Sequence, residues 1–180
     1  MKNNLLFSLS FVVLFYGCSS SKPAPAKQKD VPDWYLMPPK MEGKYVGVGD
    51  AKKPQLSLSK SVATTKAQAE ISRAIETEMS TMVKDFLSSS GIDDTGTAVE
   101  YSENVTKAVS SAALKGCQIE KTEIINGRVF VMVVYDAEKA KAEAKRVVEA
   151  EAKKDEALYN EFKAVQGFDA LNKEIDNLKY

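Results

Sequence analysis

The stretch CQIEKTEIINGRVFVMVVY, Cys117 to Tyr135, sets an Asn126-Gly127 pair between two strand-like runs. Asn-Gly is the strongest short-range signal for a two-residue type I′ hairpin, because both central residues of that turn take positive φ. The turn fixes the register, and predicts Ile125 opposite Arg128, Ile124 opposite Val129 and Ile119 opposite Val134. Val129 to Tyr135 (VFVMVVY) is apolar on both faces, whereas the first run carries Gln118, Glu120, Lys121, Thr122 and Glu123. A run apolar on both faces is a central strand. Its other neighbour is expected to be Lys44 to Gly49, from the segment KYVGVGD, where alternation suits a short strand and the glycines suggest close backbone approach. Gly47-x-Gly49 lacks the third glycine of a dinucleotide-binding loop.

Outward from the sheet the pattern turns helical. From Leu58 to about Leu87, Ala67, Ile71, Ile75, Met79, Met82 and Phe86 recur three or four apart, with Lys66, Glu70, Arg73, Glu76 and Lys84 among them. Ala63, Ala67 and Ala74 widen the stripe with small side chains, so the helix axis can lie close to a sheet. At 1.5 Å per residue the helix is on the order of 45 Å long, more than one short strand covers. Ser88 to Gly96 (SSSGIDDTG) breaks it, and Asp93 and Asp94 there lack the alternating ligand spacing of a calcium loop. A second helix is expected from about Thr97 to Lys115, with Tyr101, Val105, Ala108, Val109 and Ala112 on one face and Gly116 as its stop.

After the hairpin, Asp136 is placed to cap a last helix from Ala137 to about Gln166, striped by Ala140, Ala144, Val147 or Val148, Leu158, Phe162 and Val165. Gly167 is expected to kink or end it. Phe168, Leu171, Ile175 and Leu178 then continue at helical spacing. These stripes need a surface, which is either this chain's own sheet or a partner or second copy.

Composition narrows the function. Lys plus Arg and Asp plus Glu are equal at 25 each, so no one-signed field favours nucleic acid or an anionic surface. Histidine is absent, which removes the commonest general base and neutral metal ligand together. Of the two cysteines, Cys117 reads as a small buried hydrophobe at a strand start. No catalytic residue, metal site or cofactor is implied.

The other cysteine, Cys18, stands where a short apolar stretch ends and a polar tether starts. Met1 and Lys2 give a minimal positive region, and Leu5 to Tyr16 (LLFSLSFVVLFY) an apolar one of signal-peptide length, too short to span a bilayer comfortably. Gly17-Cys18-Ser19-Ser20 resembles the lipobox of bacterial lipoproteins, which implies cleavage between Gly17 and Cys18 and acylation of Cys18. Phe15 and Tyr16 depart from the residues usual further upstream, with Leu14 one place away. Ser19 to Asp30 (SSSKPAPAKQKD) is small, polar and proline-containing. Such a segment cannot offset its ordering entropy by burial, and extended it reaches roughly 40 Å. Val31-Pro32-Asp33-Trp34-Tyr35 opens the folded part, with Trp34 as an anchor on the core or an exposed aromatic contact.

Pro32-Asp33-Trp34-Tyr35, Tyr45-Val46-Gly47-Val48-Gly49-Asp50-Ala51, the alanine-rich helix with Ala67-x-Ala69-x-x-x-Arg73 and the hairpin ending Val129 to Tyr135 together resemble the lipoprotein-20 family. The resemblance spans roughly Pro32 to Asp136. It implies an outer-membrane lipoprotein of a Gram-negative envelope with an α+β domain, a three-stranded antiparallel sheet packed on a long helix, similar in shape to dodecins. It carries over no catalytic residues. The organisation expected is a signal peptide at 1–17, a lipidated cysteine and tether at 18–30, the α+β domain at 31–136 and a helical C-terminal extension at 137–180.

The function expected is non-enzymatic: Cys18 anchors the chain in the outer membrane, and the folded part serves a structural or protein-interaction role in the envelope. Self-association or a partner contact is expected through the C-terminal helix. Two alternatives are a flavin carrier of dodecin type, using Trp34 or Tyr45, and an accessory component of a flagellar or secretion machine.

Overall fold

The computed structural model describes residues 30–92 and 96–178. Gly17, Cys18, the tether through Lys29 and the Asp93-Asp94 pair lie outside the described residues. The chain opens with a single helical turn, α1 (Asp33–Leu36), followed by strand β1 (Lys44–Ala51) and the long helix α2 (Leu56–Ser89). Helix α3 (Gly96–Gly116) leads into the hairpin of β2 (Gln118–Ile125) and β3 (Arg128–Asp136). Three helices finish it: α4 (Ala137–Ala152), α5 (Glu156–Ala164) and α6 (Gly167–Asn177). The fold is α+β, a three-stranded antiparallel sheet of order β1-β3-β2 packed on a long helix.

Asn126 and Gly127 take φ of 51° and 75°, as a type I′ turn demands. Ile125 accordingly faces Arg128, and Ile124 faces Val129. Ile119, however, faces Val133 and not the expected Val134, because the register shifts between Ile119 and Lys121. Glu120 is the extra residue of a bulge. It is accommodated because, among the described residues, β2 pairs with β3 alone, so no second ladder is broken. β3 is central and buried from Val129 to Tyr135, whereas β2 is exposed along most of its length.

α2 lies on β1 with almost no gap. A Cβ added to Gly47 would fall 2.2 Å from the Ala67 carbonyl oxygen, and one on Gly49 would fall 2.1 Å from that of Ala63. Glycine on the strand and alanine on the helix are therefore matched partners. The side chains of Ala63, Ala67, Ile71, Ile75, Met79, Val83 and Phe86 form the buried stripe, in which Val83 takes the fully buried place and Met82 is only half-buried. On α3 the fully buried alanine is likewise Ala113, not Ala112.

α2 outruns the sheet, and its far half packs against α3 and α6. The expected single helix from Ala137 to about Gln166 is broken once, after Ala152, and ends just before Gly167 as expected. After the Asp136 carboxylate caps α4 by accepting from Lys139 N–H at 2.9 Å, the helix stops at Ala152 and restarts when the Asp155 carboxylate accepts from Leu158 N–H at 2.9 Å. That end is made at Gln166, whose φ of 52° turns the chain before Gly167 begins α6. Val165 is thereby left outside α5 and 47% exposed, so it does not continue the stripe.

The turns fold the tail back on α2 and α3, where Ala140, Ala144, Val147, Val148, Leu158, Phe162, Leu171 and Ile175 join the core cluster that contains the helix side of the sheet. The tail thus covers helices more than sheet. Phe162 is its centre, with ring centroids 5.6 Å from Phe86, 5.3 Å from Tyr101 and 5.0 Å from Phe168. Tyr101 is buried there with its hydroxyl donating to the Val148 carbonyl at 3.0 Å. Burial, then the Glu151 charge, push its pKa well up, so it is a neutral packing residue.

Candidate functional site

Three places hold the side chains that chemistry or binding would use. The first surrounds α1. Trp34 and Tyr35 are half-buried, and Tyr35 lays the edge of its ring against Phe130 at 5.1 Å between centroids. Its hydroxyl donates to Asp50 Oδ1 at 2.8 Å, and Arg128 Nη1 donates to the other oxygen of the same carboxylate. Lys66 stands 4.0 Å from Asp50. Burial alone would raise the Asp50 pKa, but the hydrogen bonds from Tyr35 and Arg128, with the Lys66 and Arg128 charges, outweigh it and hold the carboxyl below its usual range. Burial, followed by the bond to Asp50, pushes Tyr35 up to about 12. This cluster pins the start of the folded chain to β1 and β3.

Trp34 completes it by donating from Nε1 to Glu123 Oε2 at 2.9 Å, with Lys121 Nζ 5.4 Å from the ring centroid. Its polar N–H is satisfied by β2, so the ring is a clasp on the outer strand. Sequence reading names Trp34 but misses Glu123 and the Asp50-Arg128 pair. The signal was available in part: β1 paired antiparallel with β3 puts Asp50 opposite Phe130, two residues from Arg128 on the same face.

The second place is a groove of about 1370 Å³ between the segment before β1, helix α2 and helix α6. Tyr45, Met82, Phe86 and Leu178 give it an apolar lining, and Glu78, Asp85 and Glu174, with Lys40 and Lys44, a charged margin. The Tyr45 hydroxyl donates to the Glu78 carboxylate. Tyr45 therefore faces α2, whereas Trp34 lies on the opposite face of the sheet with Phe130 and Glu123. The structure does not bring the two named aromatics together. Within one chain they do not bracket a single flat ligand.

The third is Cys117, half-buried just ahead of β2, whose thiol burial pushes up to about 11. A thiol held so far above neutrality is a poor nucleophile. Among the described residues, no group of three or more His, Cys, Asp and Glu side chains converges to hold a metal ion, and no helix is long and apolar enough to cross a membrane.

Comparison with known proteins returns no match among family models, curated proteins or solved structures.

Proposed function

We propose that the chain is a non-enzymatic lipoprotein of the outer membrane, held to the bilayer by acyl chains on Cys18 and serving a structural or protein-interaction role in the envelope. The observation that carries this reading is the order of segments in the sequence: an apolar run ending at Tyr16, Gly17-Cys18, a polar tether, then a domain pinned at its start by Trp34 and Tyr35. The resemblance of Pro32 to Asp136 to the lipoprotein-20 family points the same way. Each buried methylene contributes about 0.8 kcal/mol, so one acyl chain binds marginally and two or more bind stably. Ser19 after the cysteine, where aspartate is associated with inner-membrane retention, favours the outer membrane.

Partner contact, on this reading, uses the outer surface of the C-terminal helices and the groove that α6 helps to form, since the apolar stripes of the tail are taken up inside the chain. The test is fractionation of cells carrying wild type or Cys18→Ser. Wild type is expected in the outer-membrane fraction, with the serine variant shifted out of it. A serine variant held there as firmly as wild type contradicts the reading.

A further inference from the structure

The domain meets its tether at one end of the sheet. Asp30, the first described residue, accepts from Asn126 Nδ2 at 3.0 Å, so the chain enters the fold beside the tip of the β2–β3 hairpin. The end of β1 arrives at the same place, since Ala51 pairs with Val129. Lys52 runs alongside the turn, its Cε 3.8 Å from where a Cβ on Gly127 would stand. Lys53 N–H donates to Ser59 Oγ at 2.8 Å, which folds the β1–α2 connection back on the first turns of α2.

The surface so assembled is basic and apolar together. Lys52, Lys53 and Lys60 are exposed and, among the described residues, form no ion pair. Leu56 and Leu58 are exposed on the first turn of α2 at 52% and 47%, and Ile124 at 54% on β2, paired with Val129 at the same end of the sheet and on the face that α2 covers. Arg128 adds little, being paired with Asp50, and Asp30 subtracts one charge. Lysines flanking exposed leucines and isoleucine match a phospholipid interface, where cations meet anionic headgroups and short apolar side chains enter the acyl boundary.

We propose that this end of the domain, formed by Lys52, Lys53, Leu56, Leu58, Lys60 and Ile124, docks on the anionic phospholipid surface in which Cys18 is anchored, and so fixes the orientation of the domain. The inference rests on the anchoring reading for its occupant. The groove, beside Lys44 at the opposite end of β1, then faces away from the bilayer.

The patch is tested without acyl chains. Among the described residues the core cluster runs from Ala51 to Ile175, so a chain of residues 18–180 carrying Cys18→Ser retains every one of its members. It is sedimented with vesicles of phosphatidylcholine alone or phosphatidylcholine mixed with phosphatidylglycerol. A lysine near an anionic surface is worth about fivefold in binding. Binding to the mixed vesicles is expected to be at least about tenfold tighter than to the neutral ones and weakened by salt. Lys52→Glu with Lys53→Glu is expected to remove at least about tenfold of it. The pair Lys40→Glu and Lys44→Glu, from the groove end, is expected to leave binding and melting temperature alike. Equal affinity for both vesicles, no binding to either, or an equal loss from the two double variants overturns the proposal. Any of these results leaves the acylation of Cys18 to stand or fall by fractionation of the intact protein.

Discussion

Gly47 and Gly49 fix how close α2 lies to the sheet. Both positions face backbone, which cannot swing aside as a side chain can, so Gly47→Ala is expected to cost about 3 kcal/mol, the upper part of the overpacking range. Chemical denaturation reads that loss as a lower midpoint with unchanged slope. Asp50 makes a different kind of contribution, since its carboxylate holds Tyr35 and Arg128 at once. Its folded pKa is depressed, so the stabilisation is fully present above the unfolded carboxylate value of about 3.9 and is lost as pH falls through the lower folded value. Asp50→Asn is expected to lose roughly 1–2 kcal/mol at neutral pH, discounted because Arg128 is half-exposed, and to flatten the acid limb of the stability profile. Cys117, with its thiol pushed up by burial, is expected to react with a maleimide at least about tenfold more slowly in the folded chain than after denaturation.

At the scale of elements, the hairpin was legible because Asn126-Gly127 demands one turn geometry and the composition of Val129 to Tyr135 demands a central place. The bulge at Glu120 was not. Nothing in Gln118 to Glu123 distinguishes a regular edge strand from a bulged one, since both leave polar side chains in solvent. The tail misled for a related reason. Alanine, glutamate and lysine run from Ala137 through Asp155 with strong helix propensity, and the stop after Ala152 depends on Asp155 finding the Leu158 N–H while α5 turns Phe162 into the core. Asp155→Ala is expected to cost about 1 kcal/mol as a lost cap. Phe162→Ala, which empties a fully buried site between Phe86, Tyr101 and Phe168, is expected to cost about 3–5 kcal/mol, measured by the same denaturation experiment. Removing the chain after Asp136 would strip that whole face from α2 and α3, so surface substitutions, not truncation, are the way to probe partner contact.

For the whole molecule, equal numbers of acidic and basic residues concealed an uneven arrangement. Only the fold brings Lys52, Lys53 and Lys60 to the end where Asp30 enters, while the groove near the other end mixes Glu78, Asp85 and Glu174 with Lys40 and Lys44. Trp34 and Tyr45 stand out in the sequence as aromatic side chains beside the strands. Their separation across the sheet was not legible there, because it depends on the register of β1 against β3 and on Trp34 reaching round to Glu123 on β2. On the proposed reading, anchoring at one end and a groove at the other would give the domain a membrane-facing and an envelope-facing side. The proposed anchor is a single sulfur atom, and the intact mass of the protein purified from bacterial envelopes tests it most directly. The mass predicted is that of a chain starting at Cys18 plus its acyl groups. A chain still starting at Met1, or one whose Cys18 sulfur is unmodified, contradicts it.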